Sequence, residues 1–100
     1  MEKRKPHYDL ARIQADVARL GAAAFTKTSL DGGRAMGLTT AEMLAVIASL
    51  TGRNFQKSMT TYADHRVWQD VYHAQTPVRI MAYIKITLRD MAPVIQFKER

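Results

Sequence analysis

The sequence predicts an α+β domain, with N-terminal helices packed on one face of a mainly antiparallel C-terminal sheet. Two observations predict it. The apolar residues repeat with a helical period up to about residue 52 and with a period of two after it. Each helical segment has one apolar stripe and the longest strand one apolar face, so packing them together buries both. With 100 residues, 47% of them hydrophobic, and no internal repeat, the chain is expected to form a single domain over residues 1–100.

The elements follow in order. Leu10, Ile13, Val17 and Leu20 fall on one side of a helix, with Pro6 ahead of it and Gly21 as its stop. A weaker helical segment runs from Ser29 to Met36. Gly32 and Gly33 count against it, since each glycine costs about 1 kcal/mol relative to alanine in a helix. A turn at this double glycine is the expectation. Thr39-Thr40-Ala41-Glu42 reads as a capping box, in which Thr39 and Glu42 satisfy each other's free amides. Met43, Val46, Ile47 and Leu50 continue that helix, and Gly52 ends it.

Strands follow. Lys57 to Tyr62 reads as the first, Ala63 to Arg66 as a turn, and Val67 to His73 as the second. Thr76-Pro77 breaks the chain. Val78 to Leu88 alternates most clearly: Ile80, Ala82, Ile84, Ile86 and Leu88 share one face, while Arg79, Met81, Tyr83, Lys85, Thr87 and Arg89 share the other. After a tight connection at Asp90-Met91-Ala92, Pro93 to Lys98 closes the sheet, with Gln96 and Lys98 opposite Ile95 and Phe97.

Composition narrows the function. Fifteen Lys and Arg against nine Asp and Glu give a net charge of +6, the signature of a protein that meets polyanions, nucleic acid foremost. The excess is heavier in the second half, which has eight basic and four acidic residues against seven and five in the first. There is no cysteine, which excludes disulfides, thiolate metal sites and a cysteine nucleophile. His7, His65 and His73 lack ligand spacing, so neither a metal nor another cofactor is expected. No nucleophile elbow or phosphate-binding glycine loop is present. The basic start MEKRK runs into Pro-His-Tyr rather than an apolar core, and no stretch is long enough to span a bilayer. A cytoplasmic location without membrane attachment is therefore expected.

The uncovered sheet face holds Arg79, Tyr83, Lys85, Arg89, Gln96 and Lys98, a basic surface with an aromatic on which single-stranded RNA can lie. In the hairpin KSMTTYADHRVWQDVY, Lys57 alternates with Ser58 and Gln69 with Trp68. If Trp68 and Tyr72 pack into the core, Gln69 faces the open side; periodicity leaves Lys57 undecided. Asp70 reads as a turn or ion-pair residue. RNA carries its own nucleophile, the ribose 2′-OH. Cutting it takes alignment, a proton acceptor, a proton donor and cations on the phosphate. Lysine, tyrosine, glutamine and arginine can supply these. His73, with the parity of Gln69, is a rival acid–base group; His65, in the turn, ranks below it. A basic sheet that binds RNA or DNA without cutting it is the alternative.

KSMTTYADHRVWQDVY closely resembles the most characteristic segment of the MqsR family, the motility quorum-sensing regulator toxins. MEKRKPHYDL is similar to that family's N-terminus, and YIKIT and FKER to its C-terminal strands. The resemblance implies a RelE-like fold and an mRNA interferase of a type II toxin–antitoxin system. Such an enzyme cuts single-stranded mRNA, typically at GCU, without a metal. It implies a zinc-containing helix-turn-helix antitoxin as partner, with operator DNA reached only through that antitoxin. It also implies an active site at Lys57, Gln69, Tyr83 and Lys98. Lys57 and Lys98 would then neutralise the phosphate, Tyr83 act as acid or orienting donor, and Gln69 position phosphate or base. Tyr62, Arg79 and Lys85 are expected as further RNA contacts.

Overall fold

A computed structural model describes residues 1–100. Its strands are β1 (Glu2–Lys3), β2 (Phe55–Thr60), β3 (Trp68–Gln75), β4 (Met81–Arg89) and β5 (Ala92–Glu99); its helices are α1 (Leu10–Leu20), α2 (Lys27–Ala35) and α3 (Thr40–Ser49). Single turns of 3-10 helix at Gly21–Ala24 and Gly52–Asn54 join them. The sheet order is β1-β2-β3-β4-β5, and every pairing is antiparallel. This is the expected α+β architecture, consistent with a RelE-like fold.

The helices bury their stripes on one face of the sheet. Ile13 and Val17 of α1 and Met43, Val46 and Ile47 of α3 share one core with Tyr72, Ala82, Ile84, Ile86, Ile95 and Phe97 of the strands. At about 25 cal/mol per Å² of apolar surface, side chains of this size contribute roughly 1.5–3 kcal/mol each when fully buried. Both reciprocal bonds of the capping box form, Glu42 N to Thr39 Oγ1 at 3.1 Å and Thr39 N to Glu42 Oε1 at 2.9 Å.

Four expectations need correction. The double glycine is no turn: α2 runs straight through it. A Cβ on Gly32 would come within 2.9 Å of the Phe97 carbonyl, and one on Gly33 would run into Met43 Sδ. The glycines let α2 lie against β5 and α3, and that contact outweighs their poor helix propensity. Ser29 then stitches α2 to β5, donating to the Ile95 carbonyl at 3.0 Å and accepting from Phe97 N at 2.9 Å. An otherwise open strand edge is thereby covered.

The third meander strand starts at Met81 rather than Val78. Thr76 closes a turn through its hydroxyl, donating to the Ile80 carbonyl at 2.6 Å, and Arg79 sits in that turn with φ +63°. Arg79 therefore leaves the sheet face on which alternation had put it. β2 ends at Thr60, so Tyr62 belongs to the loop that follows.

Asp70 is neither a turn residue nor one half of an ion pair. It is 1% exposed on the core side of β3, and its carboxylate accepts the His7 amide at 3.0 Å and the Tyr8 amide at 2.9 Å. That bond fastens the N-terminal segment, whose strand β1 was not expected.

Candidate active site

Register decides which side chains share the open face. Opposed residues in a ladder point the same way. Lys57 opposes Val71, Val71 opposes Lys85, and Lys85 opposes Gln96. The next row is His73, Tyr83 and Lys98. On the other flank Glu2 opposes Met59, which opposes Gln69. Lys57, left undecided by parity, thus stands on the open face with Gln69, Tyr83, Lys85 and Lys98. The reason is local: β2 has an irregularity between Phe55 and Lys57, and only the ladder beyond it fixes which side Lys57 takes.

The rows also set the scale. Lys57 on β2 and Lys98 on β5 are three interstrand steps and one row of two residues apart, roughly 16 Å at about 4.8 Å per step and about 3.3 Å per residue. Lys85 lies between them. Two shallow concavities meet at Lys85. One, of about 430 Å³, is walled by Tyr83, Lys98 and Gln96, by Thr26 and Thr28 at the start of α2 and by Gly32 further along it. The other, of about 730 Å³, is walled by Met59, Gln69, Thr61, Tyr62 and His65. Tyr62 is fully exposed at its rim. Thr26 and Thr28 were missed by the sequence reading, because only the docking of α2 on β5 brings them to the sheet face.

The chemistry of these groups differs. Lys98 Nζ lies 5.3 Å from the centre of the Tyr83 ring, and the His73 and Tyr83 rings are 5.3 Å apart. Partial burial, assisted by Arg100, holds His73 below the usual histidine value, so the ring is neutral near pH 7. Lys57 Nζ is ion-paired with Glu2 Oε1 at 2.9 Å. His65 lies in the loop, away from the His73 row. Arg79 is in its turn and Arg89 at the end of β4. No group of three or more His, Cys, Asp or Glu side chains could hold a metal ion. No helix is long and apolar enough to cross a membrane.

Behind the face, Trp68 is half-buried and serves the N-terminal segment rather than the core. His7 stacks on it at 5.2 Å, Lys3 Nζ sits 4.3 Å over its ring, and the Tyr8 hydroxyl donates to its carbonyl at 2.7 Å. Tyr72, by contrast, is buried in the core, and burial beside Asp70 raises its phenol to about 12.

A small basic α+β protein with lysines, a tyrosine and a neutral histidine on a bare sheet face has the layout of a nucleic-acid-handling protein. The chain belongs to the family described as motility quorum-sensing regulator, toxin of MqsA, whose model matches residues 5–99. It is 38% identical over 100 residues, the whole of both chains, to the mRNA interferase toxin MqsR of Escherichia coli (strain K12).

Proposed function

We propose that the open face of β2–β5 cuts single-stranded mRNA by attack of a ribose 2′-OH on the adjacent phosphorus. Membership of a toxin family, and a full-length relative that is an mRNA interferase, make the chain a toxin endoribonuclease that acts on mRNA. The observation that carries the site is the register: Lys57, Gln69, Tyr83 and Lys98 all stand on one uncovered face.

The step balances without an added reactant. The 2′-oxygen bonds to phosphorus while the 5′-oxygen leaves, giving a 2′,3′-cyclic phosphate and a 5′-OH. The proton lost by the nucleophile goes to a base, and the leaving oxygen receives one from an acid. His73, neutral and next to Tyr83, is suited to the first task, and the Tyr83 hydroxyl to the second. Lys98, against Tyr83, would neutralise the scissile phosphate. With roughly 16 Å between them, Lys57 and Lys98 would act on different parts of a strand laid across the sheet, with Lys85 holding the backbone between. Tyr62 would stack a base, and Gln69 would position one. Arg79 would contact RNA only from outside the face.

The preferred site would be a GCU-type trinucleotide. An MqsA-type antitoxin, zinc-containing and of the helix-turn-helix kind, would hold the toxin inactive and carry it indirectly to operator DNA. Toxin and antitoxin would meet in the cytoplasm, where mRNA is translated. The test is a labelled transcript incubated with the protein in EDTA: fragments ending in cyclic phosphate and 5′-OH support the enzyme, while binding without fragments supports the non-catalytic module instead.

A further inference from the structure

Glu2 is the one carboxylate in the cross-strand rows of the open face. The other eight acidic residues are elsewhere: on helices or at their caps, in loops, on the core side of β3, or at the end of β5. Its Oε1 lies 2.9 Å from Lys57 Nζ, a charge-assisted contact. Much of the N-terminal segment serves to keep it there. Met1 accepts the Thr60 amide at 3.0 Å, Lys3 and His7 pack on Trp68, and the buried Asp70 holds the amides of His7 and Tyr8. A surface ion pair adds little to stability, so stability does not account for a carboxylate placed on a lysine that faces the substrate.

We propose that Glu2 is a positioning residue for Lys57, holding its ammonium in one place over the sheet and competing with RNA phosphate for it until substrate binds. This rests on the ribonuclease reading of the face. A free lysine side chain samples many rotamers. One tethered at its tip is aligned before RNA arrives, at the expense of ground-state phosphate binding. Removing the tether therefore strengthens binding and slows the chemical step, a split that a merely structural residue would not produce.

The experiment compares wild type, Glu2→Gln, Lys57→Ala and the double variant. Binding of a fluorescent 2′-O-methyl oligoribonucleotide, which lacks the nucleophile, is followed by anisotropy across a salt series. kcat and KM are measured on the cleavable RNA of the same sequence. Glu2→Gln is expected to bind about threefold tighter, with a salt slope steeper by about 0.7, the value for one more phosphate contact on a single strand. Its kcat falls about tenfold. In the Lys57→Ala background Glu2→Gln changes neither quantity. The inference is overturned if Glu2→Gln leaves kcat unchanged, or if it tightens binding equally without Lys57. A wild type that leaves the cleavable RNA intact refutes the ribonuclease reading alone, and the binding arm then decides whether Glu2 acts through Lys57.

Discussion

The two faces of the sheet use their polar residues in opposite ways. On the helix-covered face the few that are present are tied up in hydrogen bonds within the protein. Asp70 holds two amides, Ser58 donates to the Gln69 carbonyl, and no buried side-chain polar atom lacks a partner. On the open face, Gln69, His73, Tyr83, Lys85 and Lys98 project without such bonds, and Lys57 alone has a side-chain partner in Glu2. A protein that leaves this much polar capacity unused on one side has kept it for something outside itself. The comparison predicts that substitutions behind the sheet affect stability and those in front affect activity.

The largest effect falls behind. Asp70→Ala leaves the His7 and Tyr8 amides without their acceptor, and each unsatisfied buried group costs about 1–3 kcal/mol. A loss of about 3 kcal/mol is expected in urea denaturation, with release of the N-terminal segment seen as faster amide exchange at residues 2–8. Next comes the front. Lys98→Ala should lower cleavage about 10²-fold and leave unfolding within about 0.5 kcal/mol of wild type. A matching loss of stability would break the division between the faces. Gly33→Ala returns to the covered side, forcing a methyl into Met43. Overpacking of this kind costs about 1–3 kcal/mol, read as a lower Tm with cleavage by the remaining folded protein unchanged.

The smallest effect is one of pH. Burial, with Arg100 close by, lowers His73, and burial, with Lys3 close by, lowers His7 despite Asp70. A histidine with a depressed folded value stabilises the fold while neutral. That contribution is present above about pH 6.5 and is lost as pH falls through the folded value. Unfolding free energy should therefore decline just below pH 6.5, and His7→Gln should flatten the decline. For activity, the acidic limb of kcat/KM should disappear in His73→Ala if His73 takes the proton. A limb that persists assigns it to another group.

Much of this was legible in the sequence, for identifiable reasons. Strong local signals gave the helices at Leu10 and Thr39 and the alternation of β4, because capping chemistry and periodicity act within a few residues. The open-face placement of Tyr83, Lys85 and Lys98 came from alternation along β4 and β5, and that of Gln69 from the condition that Trp68 and Tyr72 turn to the opposite side of β3. The rest depends on contacts distant in sequence. Gly32 and Gly33 read as a turn because their close approach to Phe97 and Met43 is invisible to local propensity. β1 is too short to leave a periodic trace, and its place depends on Asp70, sixty-odd residues away. An aspartate in the middle of a strand was the available clue, since aspartate is depleted there. Lys57 needed the ladder beyond the irregularity in β2. Arg79 was misplaced because the Thr76 side chain closes a turn that alternation cannot detect.

The central claim is that this face cuts RNA with its own side chains. The direct test is a long mRNA incubated in EDTA with wild type and with Lys57→Ala, the termini of every fragment being mapped. Wild type should give discrete cuts ending in cyclic phosphate and 5′-OH, and Lys57→Ala should lower the rate about 10²–10³-fold at unchanged stability. Full cleavage by Lys57→Ala, or fragments bearing 5′-phosphates, would contradict the account.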